Sequence, residues 1–340
     1  MSNPVLVEVM RGDVVESRHR GAVAVCDADG RVAGSLGDIG RPVFPRSAVK
    51  AIQALPLVES GAADAFGFGG EDLAFACASH SGEPDHAAKA AELLGRAGLD
   101  VAALECGVHW PSREEAAYEL ARRHETPTAL HNNCSGKHSG FLCTCVHAGI
   151  DPRGYVRREH AEQRLVREAL VDVTGAVHGE ENCGIDGCSI PTYAVPLVDL
   201  ATGFARMATG TGLQPARAAA ARRLMAACMA HPWFVAGTGR ADTLMMEAGG
   251  GRIFTKTGAE GVFCAAVPEL GLGMALKCDD GAGRAAEVVV ASVLATLLSD
   301  DAPLAASLDL MARPLLKNRN GMGVGSLRPA EALSGFAPAR

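Results

Sequence analysis

The stretch Arg46-Ser47-Ala48-Val49-Lys50 places a hydroxyl and an amine three residues apart, at the head of an apolar-periodic segment from Ser47 to Leu57. On a helix, residues i and i+3 share a face with Cβ atoms about 5–6 Å apart, so Lys50 can reach Ser47 Oγ. Burial disfavours an ammonium ion. A desolvated lysine can therefore stand partly neutral near pH 7 and accept the serine proton. The plain alternative is an N-capping Ser47 beside a solvated Lys50, since four-residue patterns recur by chance.

A second signal lies far downstream. Lys256-Thr257-Gly258 ends a strand-like run, and a glycine there lets another backbone or a ligand come close. A Ser-x-x-Lys on an early helix and a Lys-Thr-Gly on a late strand are two of the three marks of β-lactamases and penicillin-binding proteins. The third mark, Ser-Asp-Asn or Ser-x-Asn, is missing. Ser79-His80-Ser81 is its nearest substitute and sits closer to Ser47 than expected. Ser79 could instead cap a helix or satisfy a loop carbonyl, and Lys256 could be a solvated strand-edge lysine.

Two polar loops carry thiols: His131-Asn132-Asn133-Cys134-Ser135-Gly136-Lys137-His138 and Asn182-Cys183-Gly184-Ile185-Asp186-Gly187-Cys188. Two cysteines with a nitrogen or oxygen ligand suit zinc. The spacing is not that of a zinc finger, and a lysine must lose its proton to ligate, so buried structural thiols stay open as the other reading. Cys183 reads as a buried thiol. Arg46 can fork onto a carboxylate or pair on the surface. His80, His109 and His231 read as core or loop histidines.

The elements that must position these groups follow from periodicity. Residues 4–10, 22–27 and 31–36 read as strands, the last two joined by an Asp29-Gly30 turn. The Ser47 helix runs to about Glu59, kinked by Pro56. Ser112 and Glu115 suggest a capping box opening a helix to His124. Further helices are expected at 139–147, 157–173, 193–208, 215–230 and 284–299, and strands at 252–256, 262–267 and 274–277. Gly321 to Gly325 reads as a loop. The expected fold is α/β: residues 1–45 and 231–340 form an antiparallel sheet with packed helices, and 46–230 form a mainly helical domain inserted between them.

Composition removes several classes of function. Hydrophobic residues make up 48% of 340, enough for a large core. The net charge of −7, without a basic run, argues against nucleic acid. No apolar run is long enough for a membrane helix, and the first residues lack the pattern of a signal peptide. Eleven cysteines, an odd number dispersed over a long chain, suggest reduced thiols and a cytoplasmic setting.

Taken together, Arg46-Ser47-x-x-Lys50, the Ser79 loop, residues 131–138, Glu181 to Cys188 and Lys256-Thr257-Gly258 resemble the asparaginase II family, the rhizobial-type L-asparaginases. The resemblance covers nearly the whole chain, and the two cysteine loops carry most of its specificity. It implies a serine-β-lactamase-like fold, a homodimer, and hydrolysis of L-asparagine to L-aspartate and ammonia. It also implies two Ser–Lys pairs, Ser47 with Lys50 and Ser79 with Lys256, and a zinc ion held by Cys134, Lys137 and Cys188. Arg46, Asn133, His138 and Asp186 would then meet the substrate. Two rival functions remain: a β-lactam-type serine hydrolase, and a zinc or thiol sensor without turnover.

Overall fold

The computed structural model describes residues 2–339, which divide into two compact units. One comprises the chain up to Ala48, Val195–Gly212, and Ala248 onward. The other comprises Val49–Ala194 and Leu213–Glu247.

The first is a sheet unit. Its strands are β1 (Val5–Arg11), β2 (Val14–Asp27), β3 (Val32–Leu36), β4 (Phe254–Thr257), β5 (Val262–Val267), β6 (Leu272–Cys278), β7 (Leu315–Lys317) and β8 (Gly323–Pro329). They form one antiparallel sheet in the order β7-β8-β1-β2-β6-β5-β4, with β3 also pairing to β2. The middle of β2 shows why. Ala22 to Cys26 are buried at every position rather than at alternate ones, as in a strand covered on both faces. The helix Leu197–Thr209 packs on β2, β5 and β6, and the helix Gly283–Leu297 packs on β1, β5, β6 and β8. The strands from the start of the chain and from 254–278 thus meet as the sequence predicts, in register Ala24 to Ala275. This is the expected class, an antiparallel sheet with packed helices plus a mainly helical part.

The second unit is helical. Its main helices are Gly70–Ala76, Pro84–Arg96, Glu114–Arg122, Ser135–Ala148, Ala161–Thr174 and Pro215–Ala230. The boundaries differ from the expected 46–230. Residues 195–212 join the sheet, because Leu200, Ala201, Phe204 and Ala205 are fully buried on a helix that packs on β2 and β6. Residues 231–247 join the helices instead: Pro232–Val235 packs on Gly70–Ala76, and His86 stacks on Trp233.

Several local expectations changed. The helix expected over 47–59 is a 3-10 turn, Arg46–Val49, then two short helices, Lys50–Gln53 and Leu55–Glu59, with Pro56 in the first turn of the second. Ser112 caps nothing. Its backbone and hydroxyl bond Ser81 O, and the helix Glu114–Arg122 starts without a side-chain cap. The helix expected from Ser139 begins at Ser135, so it carries Lys137 and His138. The loop 182–191 contains a short hairpin, Cys183–Ile185 with Pro191–Tyr193. The helices Gly70–Ala76, Pro232–Val235, Ala241–Gly249 and Ala302–Met311 are not among those expected from periodicity. The Gly321–Gly325 stretch is partly strand β8.

Candidate active site

In the sheet unit, Ser47 lies in the 3-10 turn that follows Pro45 and is half-exposed. Arg46 holds φ at +53°, a region few side chains adopt, so the turn is locally constrained. Lys256 is fully buried at the end of β4, and its Nζ donates to Thr257 O at 3.0 Å. Gly258 follows. A Cβ there would stand 2.5 Å from Pro45 O and 3.3 Å from the Ala48 Cβ. The Lys-Thr-Gly edge therefore rests directly on the turn that carries Ser47, as a glycine at this position allows.

In the helical unit, Lys50 is fully buried, and among the described residues no carboxylate pairs with it. Its Nζ donates to Ala78 O at 2.6 Å, to Ser79 Oγ at 2.9 Å and to Asn133 O at 3.3 Å. The two carbonyls only accept, so they fix two of the amine's hydrogens. The Ser79 axis is different, because a hydroxyl can both accept and donate. A charged Lys50 donates along it, and a neutral Lys50 points its lone pair along it.

The Ser79 loop, Ala78 to Glu83, is buried throughout, and its polar groups are met by partners from distant segments. Ser79 N donates to Val235 O at 2.8 Å, and His80 N to Asn133 O at 3.3 Å. Ser81 Oγ donates to Ala236 O at 3.0 Å. The Glu83 carboxylate accepts from Thr238 N and Thr238 Oγ1, both at 2.8 Å. Gly237, at φ +110°, lets its backbone pass this loop; a Cβ there would meet Glu83 Oε1 at 2.6 Å.

His80 ties the loop to the start of the helix Ser135–Ala148. Its Nδ1 accepts from Gly82 N at 3.1 Å, so Nε2 carries the hydrogen and donates to Ser135 Oγ at 2.9 Å. Burial, together with the charges of His86 and Lys50, holds its pKa well below the usual imidazole range. Its ring stacks between Phe75 and His86, and His86 stacks on Trp233 with centroids 4.1 Å apart.

The Asn132-Asn133 pair divides its labour. The Asn132 side chain is structural, donating to Cys106 O and Gly107 O and accepting from Cys134 N. Asn133 is held by its backbone, and its side-chain amide meets no hydrogen-bond partner among the described residues.

Cys134, Lys137 and Cys188 form one buried cluster. Lys137 Nζ lies 3.1 Å from Cys188 Sγ, and the two thiols share a hydrogen bond. That bond, with the positive charges of Lys50 and Lys137, draws the Cys134 pKa well below the ordinary thiol range, while Cys188 is pushed far above it. Burial works against the Lys137 ammonium, but Cys188, Cys134 and Asp186 outweigh it and raise its pKa. The half-exposed Asp186 bonds Gly187 N at the turn leading to Cys188. His138 is fully buried; its Nδ1 meets Tyr155 OH at 2.7 Å, and its Nε2 meets no partner among the described residues.

Among the described residues, no group of three or more His, Cys, Asp and Glu is placed to hold a metal ion. Here the third donor is an amine. Two soft sulfurs and one nitrogen, buried together with one thiol already drawn toward its thiolate, do fit zinc, provided the Cys188 and Lys137 protons are displaced.

The sequence profile of L-asparaginase II matches residues 7–329. The chain belongs to the L-asparaginase II family. Membership makes it an amidohydrolase acting on a small-molecule substrate. Among solved structures it is similar to a β-lactamase from Mycobacterium bovis, at 15% identity and a TM-score of 0.40, covering 78% of this chain and 89% of that one. It is also similar to the protein Mglu, at 18% identity and a TM-score of 0.36, covering 84% of this chain and 67% of that one. No curated protein matches the sequence. No helix among the described residues is long and apolar enough to cross a membrane.

The expected site residues fall into two sets. Arg46, Ser47 and Lys256 lie in the sheet unit, and Lys50, Ser79, Asn133, Cys134, Lys137, His138, Asp186 and Cys188 in the helical unit. The geometry brings Lys50 to Ser79, whereas the sequence suggested Ser47 as its partner. His80, His109 and Tyr155 also belong to this neighbourhood. Only the adjacency of His80 to Ser79 could have pointed to any of them.

Proposed function

We propose that this chain hydrolyses L-asparagine to L-aspartate and ammonia, with Ser47 as the nucleophile. Ser47 Oγ attacks the side-chain amide carbon, the C–N bond breaks, and ammonia leaves with one added proton. Water then cleaves the aspartyl ester and restores the Ser47 hydroxyl. The observation that carries the reading is the Lys50 amine: buried, without a carboxylate partner among the described residues, and aligned on the Ser79 hydroxyl. Burying a cation this way is costly without a function to retain it.

Lys50 holds two hydrogens on fixed carbonyls, so the proton it exchanges travels along the Ser79 axis. Ser79 acts as the relay between Lys50 and the reacting groups, and Lys256 serves as the second amine of the tandem. Backbone N–H groups of the Ser47 turn stabilise the oxyanion, a contribution on the order of 3–4 kcal/mol for one donor.

Cys134, Lys137 and Cys188 would hold zinc. The ion would supply positive charge for the α-carboxylate of the substrate, while Asp186, Asn133, His138 and Arg46 would orient its α-amino and α-carboxylate end.

The test is ammonia release from L-asparagine and L-glutamine by the wild type and by Ser47→Ala. The reading expects turnover of asparagine and its loss in the variant with the fold intact. A Ser47→Ala protein that still turns over would overturn it.

A further inference from the structure

We propose that His109 is a positioning residue for this reaction: it orients the Lys50 amine by locking the backbone of Asn133. The inference rests on the functional reading above, because it assigns His109 a task within that machinery.

His109 lies in an irregular segment before the helix Glu114–Arg122 and is half-buried. Its Nδ1 is 2.7 Å from Trp110 O, and its Nε2 is 2.9 Å from Asn133 N. Neither partner can change role: a carbonyl oxygen only accepts and a backbone N–H only donates. The ring is therefore neutral, with its hydrogen on Nδ1 and its lone pair on Nε2. Sequence reading gave His109 no task beyond that of a loop histidine.

The Asn133 backbone is pinned from both ends. Its N–H goes to His109, and its carbonyl accepts from Lys50 Nζ and from His80 N, each at 3.3 Å. Asn133 also stands directly before Cys134, the residue that opens the helix Ser135–Ala148. Without the His109 acceptor, the Asn133 N–H loses its partner and the turn can rotate. The carbonyl then leaves Lys50, and the amine loses one of the two anchors that aim its exchangeable proton at Ser79. A shift of about 1 Å at such a group typically costs on the order of 100-fold in rate. No contact with substrate is required of His109.

The experiment compares three substitutions that differ in acceptor and reach. Glutamine can put Oε1 where Nε2 lies, asparagine carries the same amide but falls one methylene short, and leucine has no acceptor. His109→Gln is expected to keep kcat within about 3-fold of wild type, while His109→Asn and His109→Leu lose about 10- to 100-fold in kcat with KM nearly unchanged. Far-UV circular dichroism checks the fold of each variant. Equal activity of the folded glutamine and asparagine variants overturns the proposal.

A second measurement needs no substrate. Imidazole 15N shifts of the resting protein, assigned with His109→Gln, are expected to show a protonated Nδ1 and a bare Nε2. A protonated Nε2 overturns the assignment even where the wild type releases ammonia. A wild type that shows the expected tautomer yet releases no ammonia refutes the functional reading instead.

Discussion

Glu162 carries the most quantitative prediction. It lies in the first turn of the helix Ala161–Thr174, is fully buried, and neither carboxyl oxygen meets a hydrogen-bond donor among the described residues. Burial alone pushes its pKa from 4.5 up to about 8. Between those values the folded chain keeps a proton that the unfolded chain has released, so stability falls as pH rises. Each pH unit in that window costs about 1.4 kcal/mol, so the loss from pH 5 to pH 7.5 is about 3 kcal/mol. Glu162→Gln keeps the shape of the neutral acid and cannot ionise. Urea unfolding of both proteins across this range should therefore show the variant gaining about 3 kcal/mol on the wild type as pH increases. A difference that stays constant with pH would refute the reasoning, because a carboxyl without partners in a buried site cannot ionise free of cost.

Three further predictions concern the site. Lys50→Met keeps the aliphatic volume and removes the amine; kcat for asparagine should fall by about 1,000-fold in a protein that still folds, as stopped-time ammonia assays would show. Gly258→Ala would place a Cβ against Pro45 O, a backbone atom that cannot yield, so the Ser47 turn must shift and activity should drop by about 100-fold, together with a lowered melting temperature. Treatment with a zinc chelator should raise KM more than it lowers kcat, as steady-state kinetics on metal-loaded and stripped protein would report; a fall in kcat alone would speak against a binding role.

The sheet was legible because its strands announce themselves locally: runs such as Ala22 to Cys26 and Val262 to Val267 are buried and apolar at every position. Strand β8 was not, since its glycines read as a loop and its place is set by pairing with β1, more than 300 residues earlier in the chain, Val9 opposite Leu327. Ser112 has the spacing of a cap, yet a tertiary acceptor on Ser81 takes it instead. Among the candidate site residues, types and spacing singled out Lys50 and Ser79, but not their hydrogen bond. Partner choice depends on where the Ala78 and Asn133 carbonyls point, which no local pattern encodes. The same holds for His109, whose acceptor role comes from a backbone N–H 24 residues away.

The ring stack on His80 has an experimental use. The sequence contains two tryptophans, Trp110 and Trp233. One supplies the carbonyl that sets the His109 tautomer, and the other lies flat on His86, the next ring after His80. Indole emission responds to the polarity and stacking around the ring, so the chain carries two optical reporters beside the histidines that brace Asn133 and Ser79. Substrate arrival and loop loosening can then be followed by intrinsic fluorescence without a label, and replacing either indole by phenylalanine separates the two signals.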